Sequence, residues 1–300
     1  MSETLSETVE VTNSEQLGNT KNRSQFTRVL GEYVRKCNID VAGTTLIVGG
    51  SLEDIKVLRS LGFQRMTLSN FQPVSQSMIP PEYGPGIDAV CADVEDMNLP
   101  DNSYDFVIAH EVLHHCRSPH IALLEMLRVC RRHVVILEPN DSLFMSTLVK
   151  MKLSLPYELT AVVHHNFESG GVRDSCVPNF LYRWSRNDVF KTVSSFIPEL
   201  QFQVHAEPYW DFNIDSSALA RRKQTRLGMF TKILGPEGFL RTIRAIQPIL
   251  NSLPLIHGQG NKFFCCIEKK QELKPWLDRQ GDEIVFNRKF VAGSNGNNHR

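Results

Sequence analysis

From residue 44 the chain alternates short apolar runs with longer amphipathic ones, which predicts strands and helices in turn. TTLIVGG reads as a buried strand, LEDIKVLRSLGF as a helix closed by Gly62, and RMTLSN as a second strand. GIDAVCADV and the very hydrophobic SYDFVIAHEV give a third and a fourth strand. SPHIALLEMLRVCRR is helical, with Pro119 at its start and Ile121, Leu124, Leu127 and Val129 as the residues to bury; HVVILEPN is a fifth strand. Strands apolar on both faces, separated by helices, argue for a parallel sheet covered on both sides. Ahead of them, Ser24 to Lys36 sets Phe26, Val29, Leu30 and Tyr33 on one helical face.

Past residue 141 the pattern loosens. SLFMSTLVKMKL, SRNDVFKTVSSF, SSALARRKQTRLGMFTKIL and EGFLRTIRAIQPIL read as helices, QFQVHAEPY as a strand and NKFFCCIEKK as a last strand. The expected divisions are an unstructured tail over 1–22, a core over 23–140, a cap containing strand six over 141–261, the last strand with a C-terminal extension over 262–290, and a second tail over 291–300.

Composition narrows the class of partner. A length of 300 residues, 41% of them hydrophobic, allows one full core with elaborations. With 33 basic and 33 acidic residues there is no global field to attract nucleic acid or an anionic bilayer, so recognition is local. The basic run at residues 220–226, ARRKQTR, lacks interleaved aromatics and reads as a solvated helix face. The seven cysteines form no CxxC pair and lie mostly in apolar runs, as small hydrophobes. The first residues have no secretory pattern and no run reaches the ~20 apolar residues of a membrane span, so a reducing cytoplasm is the expected setting.

The block ADVEDMNLPDNSYDFVIAHEVLHHCRSPHIALLEMLRVCRRHVVILEPND is the most specific stretch. It resembles the type 11 branch of class I S-adenosylmethionine-dependent methyltransferases in five ordered phrases: an acid after strand three, LPDNSYDFV, a V-L-H-H phrase, a helix ending L-R-V and a strand ending E-P. The resemblance covers about residues 44 to 140. A subset of bacterial relatives extends it to about residue 195 through YELTAVV, GGVR and PNFLYRW. It implies a Rossmann-like sheet of seven strands with the last antiparallel, cap insertions after strands five and six, and S-adenosylmethionine as cofactor.

Departures from the family's L-D-V-G-C-G-T-G motif are plain. The usual Asp is Ile47, later glycines are Ser51 and Glu53, and the acid expected at the end of strand two is replaced by Ser69 or Asn70. The customary K-P-G-G turn is shortened to CRRH. This cofactor carries no pyrophosphate, so the loop needs only a tight turn and close backbone approach, which Gly49 and Gly50 supply. Asn70 offers an amide to a ribose at a cost of ~1 kcal/mol against a carboxylate.

The resemblance assigns cofactor contacts to Val48, Gly49, Gly50, Ser51, Ser69 and Asn70, to Asp93 and Val94 around the adenine, and to Ala109, His110 and Glu111 beside the sulfonium. His114 and His115 are the candidate general bases, since imidazole takes a proton near neutrality. In the cap, Tyr157, Glu158, Arg173 and Tyr182 belong to a polar and aromatic mixture suited to a small polar substrate, with Gly170 and Gly171 bending the segment that carries Arg173.

Alternatives stand beside these readings. HEVLH spells H-E-x-x-H, but it emerges directly from an apolar strand and precedes Pro119, whereas zinc proteases carry that motif inside a long helix; no metal site is expected. The departures at Ile47, Ser51, Glu53 and Asn70 equally suit a binding or scaffold protein that kept the fold and lost the cofactor. The leading expectation is methyl transfer to an oxygen or nitrogen of a small molecule; a homodimer through the cap stays open.

Overall fold

The computed structural model describes residues 24–73, 79–212 and 227–293. Its elements are α1 (Ser24–Lys36), β1 (Thr44–Val48), α2 (Leu52–Ser60), β2 (Arg65–Asn70), β3 (Ile87–Cys91), β4 (Tyr104–His110), α3 (Pro119–Val129), β5 (Cys130–Pro139) and α4 (Leu143–Lys150). Then come β6 (Tyr157–Glu158), α5 (Leu159–His164), β7 (Asn179–Phe180), α6 (Arg186–Phe196), β8 (Leu200–Tyr209) and α7 (Leu227–Ser252). α8 (Pro254–His257), β9 (Lys262–Leu273), β10 (Leu277–Gln280), β11 (Glu283–Phe286) and α9 (Arg288–Gly293) complete the chain.

Seven strands form one sheet in the order β3-β2-β1-β4-β5-β9-β8. β1 pairs in parallel with β2 and β4, β2 with β3, and β4 with β5, while β9 is antiparallel to both β5 and β8. Alternation along the strands divides the interior in two. Leu46, Val48, Val107, Val134, Ile136 and Cys265 pack with Leu123, Met126 and Leu127 of α3 and Val189 and Val193 of α6. Ile47, Ile108, Val135, Leu137, Phe264 and Cys266 pack on the other face with Phe26, Val29 and Leu30 of α1 and Ile55 and Leu58 of α2. Cys265 and Cys266 are thus adjacent residues in separate cores, each filling the volume of a small apolar side chain.

Several boundaries differ from expectation. α3 stops at Val129, where Cys130 turns extended and pairs with Tyr104 as the first residue of β5, and at its other end Ser118 caps the helix by accepting from Ile121 N and sets where its register begins. That register turns Ile121 outward, 48% exposed, and buries Ala122, Leu123 and Met126 instead. PHIALLEMLRV is apolar around most of its circumference, so its pattern alone does not select the buried face. The C-terminal extension contains a hairpin, β10 paired with β11, and helix α9 runs three residues into the stretch read as an unstructured tail. The expected tail over 1–22 and the basic run at 220–226 lie outside the described residues. Among the described residues no helix is long and apolar enough to cross a membrane.

Candidate functional site

Chain order runs outward from β1 in one direction, to β2 and β3, and from β4 in the other, to β5. Loops leaving the carboxyl ends of β1 and β4 therefore diverge and open a crevice at the point of reversal. A cavity of about 630 Å³ lies there, bounded also by the loops after β2 and β3 and by the cap segment 161–174.

The first wall is the loop after β1. Gly49 has φ +56°, and a Cβ on it would stand 2.7 Å from Val112 Cγ1, so only glycine lets this loop touch the one after β4. A Cβ on Gly50 would fall 2.3 Å from Ile47 Cγ2 and 2.9 Å from Leu68 Cδ1. Ser51 begins α2, its N and Oγ both donating to Asp54 Oδ2 at 2.8 and 3.0 Å. The other Asp54 oxygen is 3.0 Å from His110 Nδ1, and the His110 ring stacks on Phe26 at 4.4 Å.

The opposite wall follows β4. Glu111 adopts φ +58°, an uncommon conformation for a residue with a Cβ, while its N donates to Leu137 O at 2.8 Å. Its carboxylate pairs with Lys262 at the start of β9. The turned chain then delivers two amides to one buried acid: Val112 N and Leu113 N donate to Glu138 Oε1 at 2.9 and 2.8 Å. Glu138 is fully buried at the end of β5, and its second oxygen lies 2.6 Å from His114 Nδ1.

His114 continues the chain of charges. Its Nε2 is 3.3 Å from Glu158 Oε2, and His115 Nε2 is 3.5 Å from the same oxygen. Burial by itself would lower the His114 pKa, but Glu138 and Glu158 overcome it and lift the ring to about 10. Burial would raise Glu158, and hydrogen bonding and attraction to His114 bring it down to about 2. His115 is lowered, first by burial and then by the charge of His114.

The cofactor candidates Val48, Gly49, Gly50, Ser51, Asn70, Asp93, Val94 and Glu111 all line the cavity, as do His115 and Arg173. The remaining candidates lie outside the cavity lining. Ser69 is buried with its Oγ donating to Ile47 O at 3.2 Å, and Ala109 is fully buried in the core. His110 is held against Asp54 and Phe26, because the strand's alternation sends its side chain toward α1. His114 is turned to Glu138 inside the protein. Tyr182 Oη is 2.9 Å from His120 Nε2, and its ring packs on Trp184, in an aromatic cluster beneath α3 and away from the cavity. Tyr157 is half exposed and packs on Phe180 across the short β6–β7 ladder, and Glu158 faces the two histidines.

Glu111 lines the cavity with its carboxylate paired to Lys262. His110, Glu111 and His114 do not converge as a zinc-protease motif would: one turns to Asp54, one to Lys262, one to Glu138. Residues Leu113–His115 form a single 3-10 turn rather than part of a long helix.

At the mouth, Arg173 Nη2 reaches Asp93 Oδ2 at 2.5 Å while its guanidinium lies 4.9 Å over the Phe71 ring. Both Arg173 and Asp174 have positive φ, 50° and 59°, so the segment after Gly171 is held in a tight reversal over the cavity. Phe71, Cys116 and Glu138 were not foreseen. Phe71 directly follows β2, and a carboxylate closing an apolar strand, as in VVILEP, is the available signal for Glu138.

The sheet order, with an antiparallel last strand between the fifth and sixth, defines the class: a Rossmann-like class I methyltransferase fold. Residues 58–137, from within α2 to near the end of β5, match the family described as methyltransferase domain. No curated protein matches the sequence. Among solved structures, the chain is similar to one in the complex between the Trm112 methyltransferase activator of Haloferax volcanii and a methyltransferase, at 13% identity over 87% of this chain and 94% of that one (TM-score 0.49). It is also similar to the YcgJ protein of Bacillus subtilis, at 13% identity over 81% and 98% (TM-score 0.46). A third likeness is to the magnesium protoporphyrin IX methyltransferase of Synechocystis with bound S-adenosylhomocysteine, at 13% identity over 62% and 77% (TM-score 0.40).

Proposed function

We propose that the protein transfers a methyl group from S-adenosylmethionine to an oxygen or nitrogen of a small molecule. The observation that carries this reading is the cavity at the carboxyl ends of β1 to β4, bordered at once by Gly49, Asn70, Asp93 and Glu111. In this reading Gly49 and Gly50 admit the methionine part, Asn70 hydrogen-bonds the ribose, and Asp93 takes the adenine amino group with Phe71 and Val94 against the ring. Bound there, the cofactor supplies an electrophilic methyl on a sulfonium. His115, the histidine of the pair that lines the cavity, belongs to the nucleophile's side. Transfer then depends chiefly on holding nucleophile and methyl carbon in line, and the cap segment 161–174 supplies the wall that keeps water out.

Calorimetric titration with S-adenosylhomocysteine tests the reading. Micromolar binding by the parent, lost in Gly49→Arg and in Asp93→Ala while both stay folded, is expected. A folded parent that binds neither this product nor S-adenosylmethionine at millimolar concentration overturns it in favour of a scaffold role.

A further inference from the structure

The histidine pair and Glu158 form a cluster that methyl transfer by alignment does not require. His114 Nε2, His115 Nε2 and a Glu158 carboxylate oxygen face one another, all within 4.8 Å. The two printed separations to Glu158 Oε2 are 3.3 and 3.5 Å. A tetrahedral zinc-class ion with bonds of about 2.0–2.1 Å has edges 1.63 times as long, about 3.3–3.4 Å. Two edges of such a tetrahedron are therefore already present, and Glu158 Oε2 is buried with both imidazoles farther off than an ordinary charge-assisted hydrogen bond.

The surrounding groups are those a metal site needs. Histidine ligands that bind through Nε2 carry their proton on Nδ1 and donate it to a carboxylate or amide, which fixes the ring. Glu138, buried and anchored by two backbone amides, lies 2.6 Å from His114 Nδ1. The Asn179 amide lies 2.5 Å from His115 Nδ1, and Asn179 Oδ1 is buried and unpartnered as placed. Amide oxygen and nitrogen are interchangeable in shape, so a turned amide would present Oδ1 to the Nδ1–H of a metal-bound His115. Both rings thus have a second partner on the side away from the convergence, and both Nε2 atoms point into it.

We propose that His114, His115 and Glu158 bind a zinc-class divalent cation, with Glu138 and Asn179 as the positioning residues behind the two rings. Three protein ligands leave a fourth vertex. His115 lines the cavity, so that vertex is offered to a heteroatom of the small molecule whose methylation is proposed above. An ion there lowers the pKa of a hydroxyl bound to it. This role of the ion rests on the methyl-transfer reading; its occupancy of the site does not.

The rival account is a plain ion pair, in which protonated His114 is held between two carboxylates without any metal. The full chain, stripped by chelating resin and titrated with zinc alone or cobalt alone, separates the two. One equivalent of zinc binding at micromolar affinity, with cobalt giving the visible band of four-coordinate geometry, is expected. Both signals fall at least tenfold in Glu158→Gln and His115→Gln, while both variants keep the far-ultraviolet circular dichroism of the folded parent. A parent that takes up no stoichiometric zinc, or variants that bind it as the parent does, overturn the metal site. Zinc binding without any binding of the homocysteine product keeps the site and sinks the methyl-transfer reading instead.

Discussion

Glu138→Gln is the perturbation whose effect the structure makes largest. The carboxylate is fully buried and accepts from Val112 N, Leu113 N and the His114 ring at 2.6 to 2.9 Å. Glutamine keeps one carbonyl oxygen for the two amides but presents neutral atoms to His114, which sits 5% exposed in the same pocket. In the metal-free protein, removing one partner of a buried charged pair costs about 3–5 kcal/mol, and the lower end is expected because Glu158 still faces His114. Against a total stability on the order of 5–15 kcal/mol, that is a large fraction. Urea unfolding followed by tryptophan fluorescence reads it as a lowered midpoint at unchanged slope. The double variant with His114→Gln should recover part of the loss, since both charges are then gone, giving a coupling energy above about 1 kcal/mol. A single-variant cost below about 1 kcal/mol, or strict additivity in the cycle, refutes the account of Glu138 as the anchor of the loop after β4.

Two further outcomes follow from groups already described or adjoining them. Asp93 must release Arg173 before a ligand can take its carboxylate, and a part-exposed pair of this kind is worth up to about 1 kcal/mol; Arg173→Ala should therefore tighten S-adenosylhomocysteine two- to fivefold by calorimetry, and weakened binding would show that Arg173 holds the ligand instead. Asp105 is desolvated, which raises its pKa, yet hydrogen bonds from Thr44 N and Oγ and from Arg131 bring it below the ordinary carboxylate value. A depressed folded pKa stabilises above the unfolded pKa, about 4, and the gain is lost as pH falls through the folded value. The stability gap between parent and Asp105→Asn should be constant near neutrality and shrink below about pH 4 in urea titrations, whereas a gap that widens on acidification contradicts the assignment.

The central sheet was legible because its strands are apolar on both faces, a pattern few other arrangements allow. VVILEP and FFCCIE each alternate between two cores, and the alternation of apolar residues without polar relief is what that requires. Helix faces were less legible: in PHIALLEMLRV the apolar residues nearly encircle the axis, and a serine cap three residues upstream of Ile121 decided the register. Site residues on the loop after β1 were readable from glycine spacing. Those after β4 were not, because Glu111 turns the chain through a left-handed conformation that its residue type does not advertise, and the residues that follow it are re-aimed. Tyr182 looked like a substrate residue by type, but its hydroxyl is spoken for by His120, a partnership 62 residues apart in sequence. Long-range pairing of that kind leaves no local trace.

The place of β9 sets a constraint on how the chain can mature on the ribosome. It is the last strand of the main sheet to be made, yet it lies between β5 and β8, hydrogen-bonded to both. Until Leu273 has emerged from the exit tunnel, the open edges of β5 and β8 stand as unpaired templates at once, and the site wall has no Lys262 to meet Glu111. Five parallel strands can assemble as they are synthesised, but the other half of the sheet closes only once β9 has been made. A nascent chain stalled before residue 262 is thus the aggregation-prone form of this protein, and the interval in which a chaperone has most to protect.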